Sequence, residues 1–190
     1  MSTIQRFTIA TLLERIEPLI GKPYNIPRTT NKGIIGHVLE TLVGIPHSPA
    51  CLDCIDGELK AFPLKKTLSG YAPKETVAIT MCNPNELKTI SFEESRCKTK
   101  LNRVLFVPYT RQNDVVMFFK PCLFTSEHPL FSSLCEDYNI IQSNARENIF
   151  TGSIGIYLQT RTKGAGHGST SRAFYLRQKF LTELFGKFTE

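Results

Sequence analysis

The stretch that decides the reading is Asp53-Cys54-Ile55-Asp56-Gly57-Glu58-Leu59-Lys60, which runs on into Ala61-Phe62-Pro63-Leu64. Asp-Gly between two short runs is a hairpin signal, because tight hairpin turns need residues that tolerate positive φ. It predicts two antiparallel strands, residues 50–55 and 58–64, joined at Asp56-Gly57. Side chains alternate along a strand, so Glu58 and Lys60 share a face, and the hairpin is expected to lay Asp53 beside them. Two carboxylates and an ammonium then converge on one spot. Hard oxygen donors of this kind suit Mg²⁺, which takes one or two carboxylates and fills its other positions with water and phosphate oxygens. A lysine beside such a site can orient and help deprotonate an attacking water, while the metal stabilises charge on phosphorus and on the leaving oxygen. The same spacing also fits a surface hairpin of mixed charge, so the surroundings have to decide.

Upstream, Ile9, Leu12, Leu13, Ile16, Leu19 and Ile20 follow helical spacing and predict a helix over 8–20, ended by Gly21. Ile34, Ile35, Val38, Leu39 and Leu42 predict a second helix over 32–43, closed by Gly44, with Glu40 near its end. Downstream, strands are expected at 75–81, 103–109 and 114–124, the last two around a polar turn at 110–113. Helices are expected at 92–101 and 128–149, with Leu130, Leu134, Tyr138 and Ile141 as a core face. The end reads as a strand over 154–162, a polar loop over 163–172 and a strand or strand-helix junction over 173–188. Helices followed by a mixed, mostly antiparallel sheet with further helices inserted define an α/β fold.

Composition limits what such a fold can be. At 190 residues, 41% hydrophobic and 21% charged, the chain is expected to form one globular domain or one domain in two lobes. No apolar run approaches the ~20 residues of a membrane helix, and Met1 to Arg6 lacks a secretory layout, so no membrane association is expected. Six scattered cysteines fit reduced thiols in a cytoplasmic, reducing compartment rather than a disulfide framework. The net charge of +6 is uneven. Residues 151–190 hold six basic and two acidic residues, whereas residues 1–150 hold 17 and 15. A nucleic-acid footprint, if present, should draw largely on the C-terminal fifth.

Ordered blocks supply the missing context. They are Asn31-Lys32-Gly33-Ile34-Ile35-Gly36-His37-Val38-Leu39-Glu40, Gly57-Glu58-Leu59-Lys60-Ala61-Phe62-Pro63, Lys74-Glu75-Thr76-Val77, Lys98-Thr99-Lys100-Leu101-Asn102-Arg103-Val104-Leu105-Phe106-Val107-Pro108, Tyr157-Leu158-Gln159-Thr160-Arg161-Thr162-Lys163, and Arg172-Ala173-Phe174-Tyr175-Leu176-Arg177. In this order, over roughly residues 8–188, they resemble the MutH family of DNA nicking endonucleases and the Sau-type restriction endonucleases that cut at GATC, within the PD-(D/E)xK nuclease superfamily.

The resemblance implies a restriction-endonuclease-like core with a DNA-binding cleft between two lobes. It implies a single domain over 1–190, with 1–45 plus 46–150 as the catalytic region and 151–190 as the recognition segment. Asp53 and Glu58 look like the metal-binding carboxylates, Lys60 like the catalytic lysine, and Glu40 like the auxiliary acid reaching in from its helix. The chain departs from the family pattern in having four residues between Asp and Glu where six are usual. A loss of two keeps the strand face, since the side-chain period is two. Asp56 competes with Asp53 for the role but sits in the expected turn.

By the same resemblance Lys32, Lys100, Arg161, Lys163, Arg172 and Tyr175 are the expected DNA contacts. An arginine in the major groove can pair with guanine O6 and N7. Tyr175 matches a tyrosine near the adenine whose methylation is sensed, and equally reads as a core aromatic beside Phe174. The loop Gly164 to Ser171, small and without acids, can approach a phosphate backbone.

The implied activity is Mg²⁺-dependent hydrolysis of double-stranded DNA at a GATC-like site, leaving a 5′-phosphate, with Mn²⁺ able to substitute. Two forms stay open: a mismatch-repair nickase activated by a MutL-like partner, and a restriction enzyme that dimerises transiently on DNA. An inactive DNA-binding module on the same fold is the rival from another class. Cys51-x-x-Cys54, with His47 and Cys82 or Cys97, invites a zinc site, but no second pair stands at zinc-ribbon spacing.

Overall fold

The computed structural model describes residues 6–31, 33–46, 50–163 and 171–186. Along the chain the elements are α1 (Ile9–Ile16), β1 (Pro23–Asn25), α2 (Ile34–Val43), β2 (Glu58–Thr67), β3 (Gly70–Pro73), β4 (Val77–Cys82), α3 (Pro84–Thr89), α4 (Arg96–Leu101), β5 (Arg103–Gln112), β6 (Val115–Phe118), β7 (Cys122–Thr125), α5 (Leu130–Arg146), β8 (Leu158–Thr162), β9 (Arg172–Leu176) and α6 (Gln178–Phe185). The architecture is α/β, with a mixed, mostly antiparallel sheet and helices, consistent with a nuclease-like core. Two compact units divide it: Met1–Lys74 with Arg103–Phe124, and Glu75–Asn102 with Thr125–Phe188.

In the first unit the strand order is β1-β6-β5-β2-β3, and β7 also pairs with β5. The β2–β5 pair is parallel, with Glu58 opposite Val104 and Lys60 opposite Phe106. The core of this unit is built by Ile9, Leu12 and Ile16 from α1, Ile35, Leu39 and Val43 from α2, and Leu59, Leu105 and Val107 from β2 and β5. Helical spacing of three to four residues aligns each helix stripe, and the two-residue strand period turns Leu59, Leu105 and Val107 to meet it. Glu58, Lys60 and Phe62 therefore lie on the opposite face of β2. The first helix is shorter than its apolar pattern: Pro18, which lacks an N–H and crowds the carbonyl four residues back, converts residues 17–19 to a 3-10 turn.

The expected hairpin at Asp56-Gly57 does not form. Residues 50–56 are bends without a strand, and β2 instead takes β5 on one edge and β3 on the other, turning back at Leu68-Ser69. The sequence at 56–57 serves other purposes. Asp56 Oδ1 accepts the Ile9 N–H at 2.7 Å, satisfying an orphan donor at the start of α1, and Oδ2 lies 3.4 Å from the Arg103 guanidinium. Gly57 is small because a Cβ there would come within 2.7 Å of the Arg103 carbonyl oxygen and 2.9 Å of Ile9 Cγ1.

The second unit has a three-stranded antiparallel sheet, β4-β9-β8. Its core-facing side carries Phe174, which stacks on Tyr138 of α5 with ring centroids 5.4 Å apart. Leu134, Tyr138 and Ile141 are buried as the periodicity of α5 requires. The short helix α3 was not expected, although Asn83-Pro84 announces it: Asn83 Oδ1 accepts the Asn85 N–H at 2.9 Å, and Pro84 takes the first helical position, where no N–H is needed. No helix among the described residues is long and apolar enough to cross a membrane.

Candidate active site

Asp53 reaches its place from an irregular loop that is clamped to the start of α1. The Arg6 guanidinium donates to the Leu52 and Cys54 carbonyls, the Ile55 N–H donates to the Phe7 carbonyl at 2.8 Å, and the Cys54 N–H to the Gly57 carbonyl at 2.9 Å. The loop's apolar anchor is Cys54, fully buried in the first unit's core. So held, Asp53 Oδ2 accepts the Leu59 N–H at 3.0 Å and lies 3.5 Å from Lys60 Nζ. On the strand itself, Lys60 Nζ donates to Glu58 Oε2 at 2.6 Å, and the Glu58 side chain is wholly buried. The two carboxylates thus meet at one ammonium, as expected, but through a clamped loop and a strand rather than through a hairpin.

Charge balance explains why the group is tolerable. A buried carboxylate is expensive unless paired and hydrogen-bonded. Burial alone would lower the Lys60 pKa, but Asp53 and then Glu58 outweigh it, and the net shift is upward. The two carboxylates thus hold Lys60 in its ammonium form.

The donor set fits Mg²⁺: two carboxylates with hard oxygens converge, and this ion commonly uses one or two, completing its shell with water and substrate oxygens. Among the described residues no three His, Cys, Asp or Glu side chains are grouped to hold a metal, so Glu40 does not complete a cage with Asp53 and Glu58. Glu40 sits on α2, whose apolar stripe packs on the Leu59 side of the sheet, and its carboxylate lies 3.4 Å from His37 Nδ1. Asp56, spent on α1 and Arg103, is not part of the cluster.

The structure agrees with setting the zinc reading aside, since Cys54 is a poor ligand. Burial first, then Asp53 and Asp56, push its thiol up to about 12, against the thiolate that zinc requires. Cys82 is likewise pushed up to about 11, by burial above all. His47 lies outside the described residues.

Residues 49–121 match the family model described as DNA mismatch repair enzyme MutH. The match covers 73 of the chain's 190 residues, and over that segment the chain is similar to this family. The matched segment holds the clamped loop, β2, β5 and β6, and therefore Asp53, Glu58, Lys60 and Lys100. That family is described as acting in DNA mismatch repair. No curated protein matches the chain significantly.

The other expected DNA contacts lie beyond that segment and cluster in part. Register puts Arg161 opposite Ala173 and Gln159 opposite Tyr175, so Arg161 and Tyr175 share the sheet face away from Phe174. There the Arg161 guanidinium stacks 4.2 Å over the Tyr175 ring and donates to Thr76 Oγ1 at 2.7 Å. Tyr175 is thus at once a largely buried aromatic and the platform for an exposed arginine. Lys163 extends from the same strand end, and Lys100, on α4, lines a groove with it. Arg172 is not with them. One residue out of phase with Ala173, it turns to the other face, where its guanidinium donates to the Thr160 carbonyl at 3.3 Å and lies over Phe150. Lys32 and residues 164–170 lie outside the described residues.

One organising residue escaped the sequence reading. Asp137, buried in α5, accepts the N–H groups of Ile156, Tyr157 and Leu158 at 2.6–2.8 Å. It thereby fixes the chain where it enters β8 and, through β8, the base of Arg161. Nothing local in the sequence marks a helical Asp as the partner of a loop about twenty residues on.

Proposed function

We propose that this chain is a Mg²⁺-dependent endonuclease that hydrolyses phosphodiesters in double-stranded DNA at a GATC-like site, leaving a 5′-phosphate. The observation that carries the reading is the convergence of Asp53 and Glu58 on Lys60, within a segment that matches a DNA-repair endonuclease family. Asp53 and Glu58 would hold the metal, with Mn²⁺ able to replace Mg²⁺. When bound, the metal supplies electrostatic stabilisation of the charge that builds on the phosphate.

The chain's own residues do the rest. Lys60, held as an ammonium, donates to the attacking water or to a phosphate oxygen and so fixes the line of attack. Glu58, buried and with one oxygen already engaged by Lys60, keeps a fixed direction for its other oxygen. The clamp of Arg6, Phe7 and Asp56 holds Asp53 in register with it, which makes up for the shortened Asp-to-Glu spacing. Glu40, beside His37 on α2, acts as an auxiliary acid and not as a metal ligand. Arg161, Lys163, Lys100 and Tyr175 contact the DNA, while Arg172 supports β8 and β9 from behind.

Plasmid cleavage with and without Mg²⁺, by the parent and by Lys60→Ala, tests this. The parent should cut only with metal, and Lys60→Ala should lose that activity. Full cleavage by Lys60→Ala would remove the lysine from the mechanism; DNA binding without cleavage by the parent would leave an inactive binding module. Unmethylated, hemimethylated and fully methylated GATC duplexes separate the two enzyme forms. Single-strand cuts stimulated by a MutL-like activator mark a repair nickase, and paired cuts that depend on protein concentration mark a restriction enzyme acting as a transient dimer.

A further inference from the structure

Met81 is half exposed, at 50%, in a groove that Arg96, Lys100 and Lys163 also line. Strand pairing fixes its position: Met81 lies opposite Ala173, and Ala173 opposite Arg161. With strands about 4.8 Å apart, the Met81 and Arg161 backbones stand about 10 Å from each other on either side of a buried alanine. Lys163 Nζ is 3.8 Å from Met81 Sδ. Arg96 and Lys100 of α4 line the same groove of about 240 Å³.

A polyanion is the occupant this charge favours. A thioether gains nothing from a phosphate, and it gains when another apolar group covers it. The major groove of DNA offers one such group, the thymine 5-methyl, beside the guanine acceptors that suit an arginine. Successive base pairs rise about 3.4 Å, so a row of about 10 Å spans about three steps.

We infer that Met81 is a specificity-determining residue that packs on a thymine methyl within about three base pairs of the base read by Arg161, with Arg96, Lys100 and Lys163 on flanking phosphates. The inference rests on the nuclease reading above. It is tested by the affinity of the parent and Met81→Ala for one fragment carrying the cleaved site, made with thymine or with uracil throughout, and with Ca²⁺ in place of Mg²⁺. Burying one methyl is worth about a fourfold change in affinity. The parent should therefore prefer the thymine fragment by about fourfold or more. Met81→Ala should bind that fragment correspondingly more weakly and lose most of the preference. An unchanged preference in Met81→Ala overturns the inference and leaves the nuclease reading intact. Failure of the parent to bind either fragment overturns both.

Discussion

Replacing Lys60 with methionine is the most informative perturbation of the cluster, because it keeps the bulk of the side chain and removes only the charge. In the native protein Lys60 Nζ is 2.6 Å from Glu58 Oε2 and 3.5 Å from Asp53 Oδ2, and Glu58 has no contact with solvent. Breaking a buried ion pair from one side leaves an uncompensated charge and costs about 3–5 kcal/mol. In a chain of this size each kcal/mol moves the thermal midpoint by about 2–4 °C, so the loss should be about 6–20 °C in metal-free buffer at neutral pH. Three dependences identify the cause. The loss should shrink in acid, where Glu58 can take up a proton. It should shrink in a Glu58→Gln background, where no charge is stranded. It should also shrink on adding Mg²⁺, which supplies the missing positive charge to the two carboxylates. Differential scanning calorimetry or thermal circular dichroism reads all three. A midpoint within about 2 °C of the parent, or a loss of the same size in the Glu58→Gln background, would refute the reasoning.

Other consequences follow from the same geometry. The upward shift of Lys60 means that its contribution to stability is complete below the unfolded lysine pKa of about 10.4 and is lost as pH rises through the higher folded value; unfolding midpoints from pH 8 to 11 should show the loss only at the alkaline end, and Lys60→Met should abolish it. Gly57→Ala should destabilise by at least about 1–3 kcal/mol, because its Cβ would press on the Arg103 backbone and Ile9; a neutral effect in denaturant unfolding would contradict the close approach. Asp137→Asn should weaken the loop before β8 by about 1–3 kcal/mol through the loss of charge-assisted hydrogen bonds, seen as faster amide exchange at Ile156 to Leu158. Glu40→Ala should slow cleavage much less than Glu58→Ala, since it lies outside the carboxylate pair; equal losses in single-turnover rates would contradict that placement.

The site was more legible than the path to it. Glu58 and Lys60 share a face because any β-strand alternates, whatever its partner, so that part of the reading survives the change from an antiparallel hairpin to a parallel pair with β5. The hairpin itself failed because Asp-Gly has two physical uses. It suits a tight turn, but here Asp56 caps α1 and Gly57 makes room for Arg103 and Ile9, contacts made across long sequence separations. The helices α1 and α2 were readable from their apolar periodicity, whereas α3, six residues long, carries too little periodicity and rests on its Asn-Pro start. Arg161 and Tyr175 could be named from ordered blocks, yet their stacking depends on the β8–β9 register. Arg172, named alongside them, takes the other strand face, which a list of basic residues does not record.

Single-turnover cleavage of a GATC-containing duplex at saturating Mg²⁺, by Asp53→Asn, Glu58→Gln and Asp56→Asn side by side, tests the assignment of the catalytic cluster most directly. The first two should lose at least about a thousandfold, equivalent to about 4 kcal/mol of transition-state stabilisation, while Asp56→Asn, at a temperature where it is folded, stays within a few-fold of the parent. Activity that survives in Asp53→Asn and Glu58→Gln, or that disappears only in Asp56→Asn, would contradict the account.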